Sequence, residues 1–168
     1  MGTPIPAPLV NGVRHSISSS ELRIVPPGSS GQIFRGFTAF NYKRTRTREM
    51  IMGNHPDPLG KTLGENAYDA DLEIYLAEFN MLENILQQAA GGAGADGWGD
   101  IFFNITFTYI AQGFDSIVDT IIGCTLDSTE AAIAKGPGGL TRKINLTPLK
   151  ILFNGVDDLA IPLTGAST

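Results

Sequence analysis

The sequence has few of the residue types on which most catalytic and metal sites depend. Its 168 residues include one cysteine, Cys124, and two histidines, His15 and His55. A single thiol excludes an internal disulfide and a cysteine metal cluster. Neither histidine has partners at the spacing of a zinc site, and no Gly-x-Ser-x-Gly elbow is present. The sequence therefore predicts no catalytic, metal or cofactor site.

A long apolar run and a signal peptide are also missing. A membrane-spanning helix needs about 18 apolar residues in succession, and the sequence has no such stretch. Residues 1–9 contain no basic residue, although a secretory signal begins with basic residues. We therefore expect a protein with no membrane partner. It stays in the cytoplasm in which it is made, or leaves it by an unusual route.

Lysine and arginine are absent from a long central segment. Residues 62–134 contain twelve Asp or Glu and no Lys or Arg, whereas residues 1–61 contain eight basic and three acidic residues. The formal net charge of −5 argues against tight DNA binding. Two interpretations of the segregated charge stay open. It forms an acidic face exposed to solvent, or strips of opposite charge meet between copies of the chain and set their register.

Most of the chain alternates between apolar and polar residues, which is typical of half-buried strands. Between Glu78 and Ala90 the period becomes that of a helix, with Phe79, Leu82 and Leu86 on one stripe. Residues 115–122 fit either a strand or a helix. These patterns predict a mainly β (α+β) fold, in which two packed antiparallel β-sheets form a sandwich or barrel with one flanking α-helix at about 78–90. The predicted strands are 15–25, 32–48, 68–76, 101–110 and 114–126, followed by one or two strands within 141–153 that break near Pro148.

Turn-forming residues divide the chain into one domain and two tails. They predict an extended, proline-rich arm at residues 1–13, a β-sandwich domain at residues 14–160 and a tail at residues 161–168. Within the domain, residues 53–66 are rich in turn formers, and a loop of this length is usually functional or disordered. Residues 91–99 form a flexible, glycine-rich loop. Its match to the dinucleotide fingerprint is rejected, because a helix precedes it and a strand follows.

The order of these features resembles the tail tube protein family of tailed bacteriophages. That family shares its fold with the haemolysin-coregulated tube protein of type VI secretion. The resemblance covers about residues 15–155. It rests on a long strand that ends in YKRTRTRE at residues 42–49, the segment GKTLG at residues 60–64, and the strand DADLEI at residues 69–74, which runs directly into the helix. A β-rich second half with Asn154-Gly155 near its end completes the pattern.

The resemblance implies a structural subunit and not an enzyme. Six copies would close into a ring in which the inner sheets join as one barrel, and rings would stack head to tail into a tube that conducts DNA from capsid to host. The subunit would be assembled in the host cytoplasm and stand in the virion tail. It would bind itself, with sheath, tail terminator, baseplate and tape-measure proteins as further partners. No cofactor is implied, and DNA would pass through the lumen without specific binding.

Two sets of residues are the candidate sites. The loop at residues 53–66 would reach the adjacent ring, and the basic strip that ends the long strand would meet the acidic segment of a neighbour; a solvated strand end is the alternative. The predicted subunit interface comprises Lys43, Arg44, Arg46, Arg48, His55, Asp57, Leu59 and Lys61. The predicted lumen or ring contact comprises Asp69, Asp71 and Glu73.

Two other functions stay open. A type VI secretion tube subunit would have the same fold and assembly, with effector proteins in its lumen. A monomeric β-sandwich module that binds carbohydrate or a cell surface would display exposed aromatic residues. Trp98, the one tryptophan, lies in a loop and fits that role.

Overall fold

The computed structural model describes residues 20–110, 115–133 and 138–156. Their secondary structure is mainly strand, as the alternating pattern predicts, and residues 117–122 are strand and not helix. One α-helix, α1, comprises Leu76–Ala90, and a 3-10 turn comprises Trp98–Asp100. The strands are β1 Ser20–Val25, β2 Gln32–Phe34, β3 Phe37–Arg46, β4 Met50–Ile51, β5 Gly60–Lys61, β6 Asn66–Tyr75, β7 Phe103–Tyr109, β8 Ile117–Ala132, β9 Thr141–Thr147 and β10 Lys150–Leu152.

Both predicted terminal segments fall outside the described residues. This applies to the arm at residues 1–13, the tail at residues 161–168 and the first five residues of the strand predicted at 15–25. The remainder of that strand is present as β1. The limits of a single domain at residues 14–160 therefore stay a prediction.

Eight strands form one continuous antiparallel sheet that folds over on itself. Its order is β2-β1-β7-β8-β9-β6-β3, and β10 also pairs with β8. The 16-residue strand β8 joins the two halves, because β7 pairs with its residues 117–124 and β9 with its residues 125–132. We call β3, β6, β9 and residues 125–132 of β8 the β3 half-sheet. The other strands of this sheet, with residues 117–124 of β8, are the β1 half-sheet.

The two half-sheets pack face to face and confirm the predicted sandwich. Phe37 and Phe40 of β3 contact Phe107 of β7, with ring centroids 5.9 and 5.6 Å apart. The strand β8 changes partners between Cys124 and Thr125, shortly after Gly123, whose φ of +68° is in the left-handed region that favours glycine. A Cβ at this position would also lie 2.7 Å from a methyl carbon of Leu149. A β-bulge follows Gly123 and adds to the bend of β8.

Helix α1 packs an apolar stripe onto the core. Phe79, Leu82 and Leu86 are buried, as the helical period predicts. The helix begins two residues earlier than the predicted start at 78, directly after β6. The glycine-rich loop beyond it is a defined turn and not merely a flexible link, because the Gly92 and Gly94 N–H groups donate to the backbone and side-chain oxygens of Gln87, each at 3.0 Å.

The strand predicted at residues 32–48 is two strands in the structure. They separate at Gly36, where the Glu78 side chain of α1 packs so closely that an added Cβ would lie 2.6 Å from its Cγ. A β-bulge early in β3 then shifts the alternation by one residue. Phe37 and Phe40 consequently both pack against the core, although they are three positions apart in the chain.

The loop predicted at residues 53–66 belongs to a hairpin. Strand β5 lies within the predicted loop and pairs with β4. Asn66, the last residue of the predicted loop, begins β6. The Thr47 N–H donates to the Glu65 carbonyl at 3.2 Å, which continues the β3–β6 pairing toward β4 and β5. We call residues 47–65 the hairpin arm. The prediction of a loop without structure of its own was therefore wrong, because cross-strand pairing does not depend on local turn propensity.

Candidate assembly surfaces

The solvent-facing side of the β3 half-sheet carries the three predicted acidic residues. Asp69, Asp71 and Glu73 alternate along β6 with Ala70 and Leu72, which are buried. The structure thus brings the three carboxylates together on one face, as the period of two predicts. We call this side of the half-sheet the polar face. Its position in a lumen or at a ring contact stays a prediction.

Cross-strand register arranges the polar face in rows. One row runs across all four strands through Asn41, Asp71, Asn145 and Ser128. The Asn41 amide donates to Asp71 Oδ2 at 2.9 Å, and the Asn145 amide donates to Ser128 Oγ at 2.8 Å. Short polar side chains that hydrogen-bond to each other therefore cover the middle of this face.

Both lysines of the polar face lie beside carboxylates. Lys43 Nζ lies 3.5 Å from Asp69 Oδ2. Lys143 lies opposite Glu73 on one side and Glu130 on the other. These exposed pairs contribute little to stability. The polar face nevertheless has a net negative charge, because its acidic residues outnumber its lysines.

A shallow depression of about 350 Å³ crosses the polar face. Its lining includes Asn41, Asp69, Asn145 and Asp127, which lie on four different strands, so the face is concave. No cysteine or histidine lies in the depression. Within residues 20–110, 115–133 and 138–156, no group of three or more His, Cys, Asp or Glu side chains is placed to hold a metal ion.

The predicted basic strip is divided between the two sides of β3. Lys43 belongs to the polar face, whereas Arg44 points to the opposite side. The Arg44 guanidinium lies 4.1 Å from the ring centroid of Phe153, and its Nη1 donates to the Ile151 carbonyl at 3.2 Å. Arg46 lies on the same side as Arg44, because successive strand residues face opposite ways. Arg44 and Arg46 therefore share one side of β3, as strand alternation predicts, and Lys43 lies on the other side. The subunit contacts of these residues stay predictions.

The hairpin arm holds the other predicted interface residues. Arg48, His55, Asp57 and Lys61 are exposed, and His55 Nδ1 lies 3.6 Å from Asp57 Oδ2. Leu59 is 72% exposed. The structure thus places these five residues on one projecting element, without showing what they contact. The arm exposes four further apolar side chains, those of Met50, Ile51, Met52 and Leu63.

The buried carboxylate of Asp119 on β8 accepts hydrogen bonds from β3 and from the last described turn, and the β3 donor also contacts β7. Asp119 is 5% exposed. Its Oδ1 accepts the Asn154 N–H at 2.9 Å, and its Oδ2 accepts the Tyr42 hydroxyl. The Tyr42 and Tyr109 hydroxyls lie 2.6 Å apart. Sequence reasoning missed this site, although an acid two residues before the apolar Ile121 in an alternating segment was a signal for it.

Burial raises the pKa of two side chains, the Tyr42 hydroxyl and the Cys124 thiol. It raises the pKa of Tyr42 above its ordinary value, and the hydrogen bond to Asp119 raises it further. Burial also raises the pKa of the Cys124 thiol to about 12. Both groups ionise at lower pH in the unfolded chain, so the stability they contribute is complete below pH 9.0, the ordinary thiol pKa, and is lost as the pH rises toward 12.

The free energy of unfolding should therefore fall steadily above pH 9.0. Urea titrations between neutral pH and pH 11 measure this slope, and Cys124→Ala should make it shallower.

Native protein should also leave Cys124 unlabelled by a maleimide at neutral pH, whereas unfolded protein is labelled. Rapid labelling of the native protein would contradict the burial of this thiol.

No protein-family model and no curated protein matches the chain. Solved structures do match. A chain of the SPP1 tail tube superimposes with a TM-score of 0.55 and 13% identity, over 84% of this chain and 80% of that chain. A chain of the six-fold-symmetrised anti-feeding prophage baseplate superimposes with a TM-score of 0.56 and 7% identity, over 91% and 97%. The chain has a tail-tube-like fold.

The tail-tube-like fold confirms the resemblance that the order of elements indicates. A type six secretion system protein also matches, with a TM-score of 0.48 and 11% identity over 79% of this chain and 82% of that chain. Within the fold, Trp98 is a packing residue, because its ring lies edge-on to Phe79 with centroids 6.4 Å apart. Trp98 therefore no longer favours a carbohydrate-binding module. Among the described residues, no helix is long and apolar enough to cross a membrane.

Proposed function

We propose that the protein is a structural subunit of a phage tail tube, without enzymatic activity. Six copies form a ring, and rings stack into a hollow tube that conducts DNA from the capsid to the host. The tail-tube-like fold supports this proposal. The observation that carries it is the concave, net negative polar face of the β3 half-sheet.

The polar face suits a channel for a polyanion. DNA carries one negative charge for about every 1.7 Å of its axis, so a positive lining would retain it. Here the carboxylates of Asp69 and Glu73 lie next to the two lysines, and Asp71 adds charge between them. Six copies facing one lumen would multiply this net negative charge. The lining would then repel DNA weakly along its whole length and not bind it at any point.

Strand directions in the β3 half-sheet suit closure into a ring. Its four strands alternate in direction. Because four is even, a copy related by rotation would place β3 antiparallel to β8 of its neighbour. Residues 128–131 of β8 are exposed on both faces. This part of β8 is at the edge of the half-sheet, where β3 of a neighbouring copy would pair with it. Closure would also cover sheet edges that otherwise promote aggregation.

The same proposal includes partners and location. The assembled tube belongs to the virion tail and is built in the host cytoplasm, with tail terminator, baseplate, tape-measure and, in a contractile tail, sheath proteins as neighbours. A type VI secretion tube is the alternative with the same assembly. No surface of the described residues favours it.

Electron microscopy of the purified protein tests the proposal. Negative staining should show rings or tubes of one diameter, and light scattering should show a mass that rises with concentration. Growth should also be tested with pre-formed tube fragments added as seeds, because some subunits need an initiator. A monomer at all concentrations and with seeds would contradict the proposal and favour a binding module.

A further inference from the structure

We infer that Lys43, on the outer edge of β3, pairs with Glu130 on the outer edge of β8 in a neighbouring copy, and that this pair sets the register in which the two strands join. Both residues lie on the polar face and are exposed. The inference rests on the proposed function, to which it adds the contact residues and the strand register of the ring interface.

Two strand edges of the β3 half-sheet are open to a second copy. Within the described ranges, β3 pairs with another strand only on its β6 side, and residues 128–132 of β8 pair only on their β9 side. A strand that joins either edge must keep its polar side chains on the polar face. Because side chains alternate along a strand, the possible registers therefore differ from one another by two residues.

Charge complementarity selects one of these registers. Within one copy, Glu73, Lys143 and Glu130 form a row across β6, β9 and β8. If the neighbouring copy is displaced by four residues along the strands, its Lys43 comes next in this row. The cross-strand partner of that lysine, Asp69, then follows. The charges alternate in sign over five consecutive strands, and the interface lies within the alternation.

Other registers bring no cation to Glu130. Ala39 begins the same row within a copy, so a neighbour without displacement would place its Ala39 beside Glu130. Displacements of two and six residues would place Asn41 and Thr45 there. Lys43 is the one basic residue of β3 on the polar face, so only the displacement of four residues forms an ion pair.

The geometry of closed barrels favours the same register on separate grounds. Each copy contributes four strands, so a displacement of four residues amounts to one residue, or about 3.3 Å, per strand. Neighbouring strands are about 4.8 Å apart, and the ratio gives a strand tilt of about 35° to the tube axis. Closed barrels have tilts of roughly 35–45°. A displacement of two residues gives only about 19°, and no displacement gives strands parallel to the axis.

The pair acts on register more than on affinity. An exposed ion pair contributes little to the strength of an interface, whereas the backbone hydrogen bonds that join two strands form in each of these registers. Complementary charges distinguish between registers that the backbone alone does not distinguish. A closed ring also repeats the same displacement at every interface, so the preference of one pair is multiplied by the number of copies.

Disulfide cross-linking measures the register directly. In the double variant Thr45→Cys/Ser128→Cys, thiols of neighbouring copies lie directly opposite each other in the inferred register, at a Cα distance that a disulfide spans. Lys43 and Glu130 are unaltered. The assembled and oxidised protein should give a ladder of covalent oligomers on a non-reducing gel.

The control Asn41→Cys/Ser128→Cys places its thiols opposite each other only in the register without displacement. It should give at least about tenfold less product, since its thiols are about 13 Å apart in the inferred register. Three strand spacings separate the two positions within one copy, so an internal disulfide does not compete. Cys124 is buried and adds no cross-link. More product from the control, or none from either variant in assembled rings, overturns the inference and leaves the proposed function intact.

Charge reversal tests the ion pair without cysteine variants. Lys43→Glu and Glu130→Lys each place like charges across every interface, so each alone should assemble only at about fivefold higher concentration. An equimolar mixture should assemble like the unaltered protein, because a ring of six can alternate the two variants and then has opposite charges at all interfaces. Arg35→Glu, the same change of charge at an exposed residue outside β3, should assemble normally.

Rescue by mixing separates the interface from folding, because a misfolded variant is not repaired by a second misfolded variant. Normal assembly of both single variants, or a mixture that assembles no better than they do, overturns the inference. If the unaltered protein forms neither rings nor tubes, with or without seeds, the proposed function fails, and this inference fails with it.

Discussion

Replacing Asp119 by alanine is expected to lower the free energy of unfolding by about 3 kcal/mol. The change removes the acceptor of two partly buried hydrogen bonds, those donated by the Asn154 N–H and the Tyr42 hydroxyl. Each such loss typically costs about 1–3 kcal/mol, and relief of the buried charge offsets part of the sum. Thermal unfolding should shift downward by roughly 8 °C. Urea titration and calorimetry measure both quantities.

Two controls separate the hydrogen bonds from a general effect of charge. Asp115→Ala removes an exposed carboxylate two residues before β8 and should change stability by less than about 0.5 kcal/mol. Asp119→Asn retains an acceptor for the Asn154 N–H and should cost less than the alanine variant. A stability for Asp119→Ala equal to that of Asp115→Ala would show that the network does not stabilise the fold.

Removing the hairpin arm is expected to abolish tubes while leaving rings. Replacing residues 48–64 with Asn-Gly joins Thr47 to Glu65, which already pair across the ribbon, through a two-residue turn. The arm contributes no residue to the buried core, so the domain should keep its stability. If the arms of the six proposed copies join one ring to the next, their loss should slow elongation by at least about 100-fold. Light scattering measures the rate, and microscopy identifies the product.

The matched control keeps the arm and alters only its polar pair. His55→Ala/Asp57→Ala removes an exposed ion pair, which contributes about 0–1 kcal/mol, and should form tubes at nearly the normal rate. Tubes of normal length from the armless variant would show that stacking uses another surface. Unfolded armless protein would show instead that the arm stabilises the domain.

The fold class and much of the polar face could be predicted from the sequence. The alternation of Asp69, Asp71 and Glu73 with apolar residues placed all three carboxylates on one side of β6. The helical stripe of Phe79, Leu82 and Leu86 located α1 to within two residues at its start. Both are effects of local periodicity, because burial of one face of a strand or helix imposes that period.

Three features could not be predicted in this way. The change of partners along β8, the pairing of β5 within a turn-rich segment, and the partners of Arg44 all depend on contacts between distant residues. Arg44 illustrates the point, since its partners Ile151 and Phe153 lie more than one hundred residues away in the chain. No local sequence pattern indicates a contact between residues so far apart in the chain.

The sequence by itself determined that this protein is a mainly β domain with one helix and an acidic strand face. Periodicity and composition suffice for those conclusions, because they are set residue by residue. Only the tertiary structure decided which strands pair and which distant side chains contact each other. It placed Arg44 over the ring of Phe153, buried Asp119 against Tyr42, and paired β4 with β5 in the hairpin arm. Those relations arise from strand pairing, in which one residue of register or one bulge changes every neighbour.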